Sequence, residues 1–221
     1  MNLPRNRLEQ MSRVLLATIL LASLAGCELF DYEPTADFAW SPTTAYARVD
    51  VQFTDQSHDV SGMFKDGEVI SWEWRFGDGT KAWDQHPVHA YEFSGTYNVV
   101  LIVQDSVLLD DSTMRQVHVL PSIHGLWIGR IDDPYGFELD MALHIFYAQD
   151  GSFTGFISIA DEKHPLSGGS FDPETRQAVL ECFAFPITLT GSLNANELVL
   201  SGQWEQGVSS GTWSVILQET E

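Results

Sequence analysis

The chain has 221 residues, 44% of them apolar with seven Trp and 13 Phe, and a formal charge of −20 from 31 Asp+Glu against 11 Lys+Arg. A surface this acidic repels phosphate backbones and anionic lipid headgroups, which argues against nucleic acid as a partner. Two cysteines are too few for a disulfide framework, so stability has to come from hydrophobic cores.

Arg5, Arg7 and Arg13 precede an apolar run from Val14 to Ala25, broken only by Thr18 and Ser23, which ends at Gly26-Cys27. That is the order of a secretory signal, and the run is shorter than the roughly 20 apolar residues a membrane span needs. Leu24-Ala25-Gly26-Cys27 resembles the lipobox of bacterial lipoproteins. The resemblance implies that residues 1–26 are removed and that Cys27 is acylated, leaving several acyl chains to hold the protein stably at a membrane. Glu28, rather than Asp, at the next position points to the outer membrane in the sorting pattern of well-studied Gram-negative envelopes. Loss of residues 1–26 leaves 8 basic and 30 acidic side chains, a formal charge of about −22. Residues 27–34 form a short acidic tether, and with Cys27 acylated Cys182 has no partner for a disulfide.

From residue 35 onward, helical periodicity is almost absent, and alternation punctuated by Gly, Pro, Asn and Asp predicts an all-β body. Ile70, Trp72, Trp74 and Phe76 alternate with Ser71, Glu73 and Arg75, which predicts a half-buried strand. Gly77-Asp78-Gly79-Thr80 then turns the chain. Further on, Tyr97, Val99, Leu101 and Val103 alternate with residues that are themselves largely apolar, which predicts a central strand. Trp74-Arg75-Phe76-Gly77-Asp78-Gly79-Thr80, His89-Ala90-Tyr91 and Gly95-Thr96-Tyr97-Asn98-Val99-Val100-Leu101 together resemble the PKD domain. Phe38-Ala39-Trp40-Ser41-Pro42 and Val51-Gln52-Phe53-Thr54-Asp55-Gln56-Ser57 fit its first strands. The resemblance covers residues 35–120 and implies an immunoglobulin-like sandwich used as a spacer or binding module, with an insertion around Val60 to Glu68. It also admits calcium, for which Asp55, Asp78 and Asp105 are the candidate ligands; the alternative is that Asp78 braces its turn. In His86-Pro87-Val88-His89, the second histidine occupies a packing position before Tyr91. His58, His118, His124, His144 and His164 occur singly and form no metal-ligand pattern.

Leu120-Pro121-Ser122 breaks the pattern, and residues 121–221 form a second domain. Eight strand-like segments are expected, at 125–131, 139–147, 152–160, 166–171, 176–184, 186–193, 197–204 and 211–218. Short turns between them predict an antiparallel meander closing into a small barrel. Gly155, Gly191 and Gly202 fall on the inward alternation, where a missing side chain permits tight coiling. Gly125-Leu126-Trp127 faintly resembles the start of lipocalins and related calycins. That likeness implies the alternative of a small apolar ligand carried inside, against an interior filled by the chain's own side chains. Cys182 alternates into a strand as a buried thiol, and Asp132-Asp133 before Pro134 is loop chemistry at the rim.

Gly207-Val208-Ser209-Ser210-Gly211 matches a hydrolase elbow in spelling only, because a strand follows it and no histidine occurs after His164. No phosphate loop, dinucleotide motif or metal-ligand cluster is present in the sequence. The expectation is therefore a non-catalytic lipoprotein that binds protein or polysaccharide. It needs no cofactor apart from the calcium that the PKD resemblance admits, and its oligomeric state and ligand-binding residues are not legible.

Overall fold

The computed structural model describes residues 33–59, 68–148, 152–184 and 186–218. Cys27 with its lipobox, most of the tether, and residues 60–67 of the expected insertion lie outside the described residues. The described chain is all-β, in two units.

In the first unit, β1 (Phe38–Ser41), β3 (Val51–Asp55) and β6 (Val88–His89) make a sheet in the order β1-β3-β6. It faces a second sheet of β2 (Ala45–Tyr46), β8 (Asp110–Leu120), β7 (Gly95–Asp105), β4 (Val69–Arg75) and β5 (Lys81–Ala82), ordered β2-β8-β7-β4-β5. Every pairing is antiparallel except β2 with β8. The apolar alternation of β7 is explained by its place between β4 and β8, with Val99, Leu101 and Val103 buried. Phe38, Phe53, Trp74 and Phe76 fill the space between the sheets. Ile70 departs from the face predicted for it: the β4–β7 register shifts between Val69 and Ser71, and Ile70 is 49% exposed. A one-residue slip sends a side chain to the opposite face.

The second unit is one curled sheet of β9 (Gly125–Asp132), β10 (Glu138–Tyr147), β11 (Phe153–Ile159), β12 (Glu162–Pro165), β13 (Gly168–Asp172), β14 (Gln177–Cys182), β15 (Ile187–Leu193), β16 (Val199–Gln206) and β17 (Ser209–Leu217). Its order, β12-β11-β10-β9-β17-β16-β15-β14-β13, pairs the first strand of the unit with the last. The strand expected at 166–171 is instead divided. Leu166 N–H continues the ladder along β11 by donating to Gly155 O (2.9 Å), while Ser167 N–H donates to Glu181 O beside β14 (2.8 Å). The expected closed ladder is thus open between β12 and β13, and the chain itself crosses the seam. Proline at 165 has no N–H to extend a ladder, and Gly169 takes φ +144 where a Cβ would lie 2.2 Å from Val179 O.

Tight coiling is visible at Gly202, where a Cβ would stand 1.9 Å from Thr190 O and 2.4 Å from Gly191 Cα. Backbone cannot yield as a flexible side chain does, so Gly202→Ala is expected to destabilise the protein by about 3 kcal/mol or more. Urea unfolding read by tryptophan fluorescence checks this, and a change below about 1 kcal/mol would show that the strands separate easily.

Side chains fill the interior: Trp127, Leu143, Ile145, Ile157, Leu180, Leu189, Leu200 and Val215 are all buried in one cluster. An opening of about 60 Å³ remains near Ile131, Leu139, Ile159, Ile187 and Trp204. Sites for small ligands run to roughly 300–1,000 Å³, several times the size of this opening.

Leu120-Pro121-Ser122 is a buried strap joining the two units. Ser122 is fully buried and donates through Oγ to Ala47 O at 2.5 Å, while Val49 of the first unit and Ile123 join the core of the second. Tyr46 and Tyr147 meet across the junction with ring centroids 5.1 Å apart.

Candidate functional site

The turn at 77–80 is an interlocked packing device. Asp78 Oδ1 accepts from the Thr80 N–H (2.9 Å) and hydroxyl (2.6 Å), and Oδ2 lies 2.7 Å from His89 Nε2. The His89 ring stacks on Phe76 at 4.1 Å and meets Tyr91 edge-on at 4.6 Å; Tyr91 in turn stacks on Tyr97 at 4.2 Å and donates its hydroxyl to Phe76 O at 3.3 Å. Trp74 Nε1 donates to Asp84 O at 3.0 Å, and Gly77 lets the turn press on the Asn98 backbone. Gly95 opens the strand carrying Tyr97, and Gly79 sits in open space. Burial pushes the Asp78 carboxyl up, yet the hydrogen bonds from Thr80 and His89 outweigh it and hold the group below the usual carboxylate range.

Asp55, Asp78 and Asp105 do not form a calcium cage. Gly77, next to Asp78, lies against the Asn98 backbone in β7, whereas Asp105 ends that same strand. At about 3.3 Å per residue the two are separated by roughly 20 Å. Asp55 accepts from Trp72 Nε1 (2.8 Å), Gln85 Nε2 (3.0 Å) and the Ser57 N–H (2.9 Å). Asp105 accepts at Oδ1 from the Val107 and Leu109 N–H groups, while its buried Oδ2 has no hydrogen-bond partner. Among the described residues no three His, Cys, Asp or Glu side chains group to hold a metal.

A broad concavity lies on the outer face of the curled sheet. It measures about 540 Å³ and is lined mainly by polar side chains from β9, β10, β16 and β17, together with Gly202 and Trp213. Strand register explains it. Ser201 pairs with Ser214, Ser214 with Arg130, and Arg130 with Asp140, while in the next row Gln203 pairs with Thr212 and Asp132 with Glu138. Residues in these rows alternate outward from the buried Leu200, Trp204, Trp213, Val215 and Ile131. Serines at 201 and 214 are short, so the row dips between the longer side chains of Gln203 and Arg130. Arg130 binds Glu138 at 2.7 Å, while Asp132 accepts from the neutral Thr212 hydroxyl at 2.6 Å.

Beside this groove the β9–β10 loop is braced by Asp133, whose Oδ1 accepts the Tyr135 and Phe137 N–H groups at 2.8 and 2.7 Å. The brace holds two aromatic side chains in solvent, Tyr135 at 87% and Phe137 at 69% exposure. On the other flank Val199 pairs with Ile216, and Ile216 with the exposed Ile128.

At the junction, Arg48 donates to the carbonyls of His124 (2.9 Å), Glu92 (3.0 Å) and Ser122, and its guanidinium lies 3.9 Å from the buried Glu197. His124 Nδ1 accepts the Tyr147 N–H at 3.0 Å, which requires the unprotonated nitrogen. Burial first, then the Arg48 charge and His144, outweigh Asp50 and hold the imidazole below its ordinary value. A group whose folded value is depressed contributes stability above its unfolded value and loses it as pH falls. Melting temperature is therefore expected to decline below about pH 6.5 through His124 and again near pH 4 through Asp78. His124→Gln should remove the upper step, and Asp78→Asn the lower one; a flat profile from pH 7 to 3 contradicts both assignments.

The groove and the junction are not legible in the sequence, although Asp132-Asp133 does stand at the rim, with Asp132 lining the groove. The small residues at 201, 202 and 214 were the one signal for a depression, legible only once strand register is known.

An immunoglobulin-like sandwich joined to a curled antiparallel sheet defines a modular all-β protein. Residues 32–119 match the PKD domain family, and the first unit is a PKD domain. Over 65 residues, 29% of this chain, the sequence is 40% identical to collagenase ColQ1 of Bacillus cereus, and the match covers 6% of that enzyme. The PKD1 domain of Vibrio anguillarum Epp is similar at 29% identity over 40% of this chain and 95% of its own, with a TM-score of 0.35. A carbohydrate-binding module of the β-sandwich superfamily aligns over 86% of this chain and 94% of its own at 16% identity and a TM-score of 0.38.

Proposed function

We propose that this chain is an exported lipoprotein of the bacterial envelope, anchored through Cys27 at the outer membrane, whose two β-units bind a protein or a polysaccharide without catalysis. The observation that carries the binding role is the solvent-facing groove of about 540 Å³, which lies in the size range of ligand sites while the interior is filled. The pentapeptide at 207–211 supports the non-catalytic reading, because it forms the β16–β17 hairpin with Gln206 paired to Ser209.

The order of elements suits an anchored display. The Ala36 N–H bonds Asp111 near the start of β8, whereas the end of β8 leads into the second unit. The tether thus enters the PKD domain at the end away from the groove-bearing unit. With β7 and β8 of 11 residues each, the domain spaces the second unit about 35 Å from the tether. Metabolic labelling with a palmitate analogue and membrane fractionation test the anchor: Cys27→Ser is expected to lose the label and move to the soluble fraction. An unlabelled wild-type chain that is already soluble overturns the anchored reading.

A further inference from the structure

We infer that the groove across β9, β10, β16 and β17 is a binding site for a neutral polysaccharide. The inference deepens the binding reading above by naming the ligand class and the face that takes it.

Three features select this class. First, the floor and walls present hydroxyl and amide groups from Ser201, Ser214 and Gln203, groups that both donate and accept and so match sugar hydroxyls in either sense. Second, the flanks are apolar: the braced Tyr135 and Phe137 stand beside one end, and Ile216 and Ile128 beside the other. A pyranose has this same division, with hydroxyls around its edge and C–H groups on its faces. An aromatic ring already fixed by its loop loses little conformational freedom on contact.

Third, charge decides among polysaccharides. Arg130, the cation of the groove, is held by Glu138 at 2.7 Å and lies 4.0 Å from Asp140, and Asp132 adds a further carboxylate. The net charge of −20 acts in the same direction. Uronate or sulfate groups would enter against this field, whereas neutral sugars carry no such penalty. A basic protein surface would satisfy the carboxylates, but it would leave the neutral hydroxyl and amide rows without a specific role. The shallow, open shape also suits a chain passing through better than a single enclosed residue.

Affinity electrophoresis of the full chain in gels containing soluble starch, mixed-linkage β-glucan or xylan, with alginate as the charged control, tests the site. Retardation by at least one neutral polymer and none by alginate is expected. Ser214→Trp, which fills the groove from an exposed position, should weaken retardation at least tenfold with an unchanged melting temperature. Tyr135→Ala should weaken it severalfold.

Absence of retardation by all three neutral polymers overturns the assignment, as does retardation that Ser214→Trp leaves intact. The latter keeps the broader binding reading and moves the site elsewhere. Binding to a basic protein probe, cytochrome c, that is lost in Ser214→Trp while the neutral polymers stay inert replaces the polysaccharide with a protein partner. The membrane fractionation of Cys27→Ser reads the anchor separately in every case.

Discussion

Glu197→Ala is expected to destabilise the protein by about 3–5 kcal/mol, the range found when one member of a buried ion pair is removed, and to uncouple the two units. Glu197 is 2% exposed and accepts from the Ser94 N–H at 3.2 Å and from the Ser94 hydroxyl. Arg176 approaches it at 3.5 Å and Arg48 at 3.9 Å. Ser94 and Arg48 belong to the PKD domain, whereas Glu197 and Arg176 belong to the curled sheet, so this carboxylate holds one unit to the other. Alanine leaves Arg48 buried at the junction without its counter-charge. Glu197→Gln, which retains an acceptor for Ser94 but removes the charge, should fall between wild type and alanine. In urea the wild type is expected to unfold in one transition followed by both tryptophan fluorescence and circular dichroism. Glu197→Ala should separate it into two. A single transition within about 1 kcal/mol of wild type would show that the buried strap at 120–123 couples the units without the ion pair.

This junction also shows where sequence reasoning stops. Alternation of apolar residues identifies a strand because a pleated chain sends successive side chains to opposite faces, and that suffices for β7 and for most of the curled sheet. It fails at Ile70, where a register shift reverses the faces, and at 166–171, where one segment serves two neighbours in turn. Arg48 and Glu197 are ordinary charged residues in a strongly charged chain. Both adopt left-handed backbone, with φ of 61° and 60°, and nothing in their neighbours announces it. Their pairing depends on how two domains dock, which local pattern does not encode. The groove is hidden for a related reason. Ser201, Ser214 and Arg130 each look like an outward polar position, and only the cross-strand register of β16, β17 and β9 lines them up. The turn network around Asp78 is legible because its members lie within a compact and distinctive motif.

Trp74→Ala is expected to cost about 3–5 kcal/mol, the usual range for removing a large aromatic from a core, and the loss should be confined to the PKD domain. Trp74 is fully buried, meets Phe38 edge-on at 5.2 Å, packs against Phe53 at 5.7 Å and lies parallel to Phe76 at 6.4 Å. Its indole N–H also satisfies Asp84 O in the loop between β5 and β6. Truncation therefore leaves a cavity and frees a carbonyl together. Trp74→Phe fills most of that space and lacks only the hydrogen bond, so it should recover more than half of the loss. The two variants separate packing from polarity. If Phe restores nothing, the Asp84 bond dominates and the loop ordering depends on it. If alanine itself costs less than about 1 kcal/mol, the aromatic cluster around β4 is not the core of the domain. Because Phe76 carries the His89 ring at 4.1 Å, and His89 reaches Asp78, a disturbed Trp74 should also weaken the acid step attributed to Asp78. That coupling is absent if core and turn are independent.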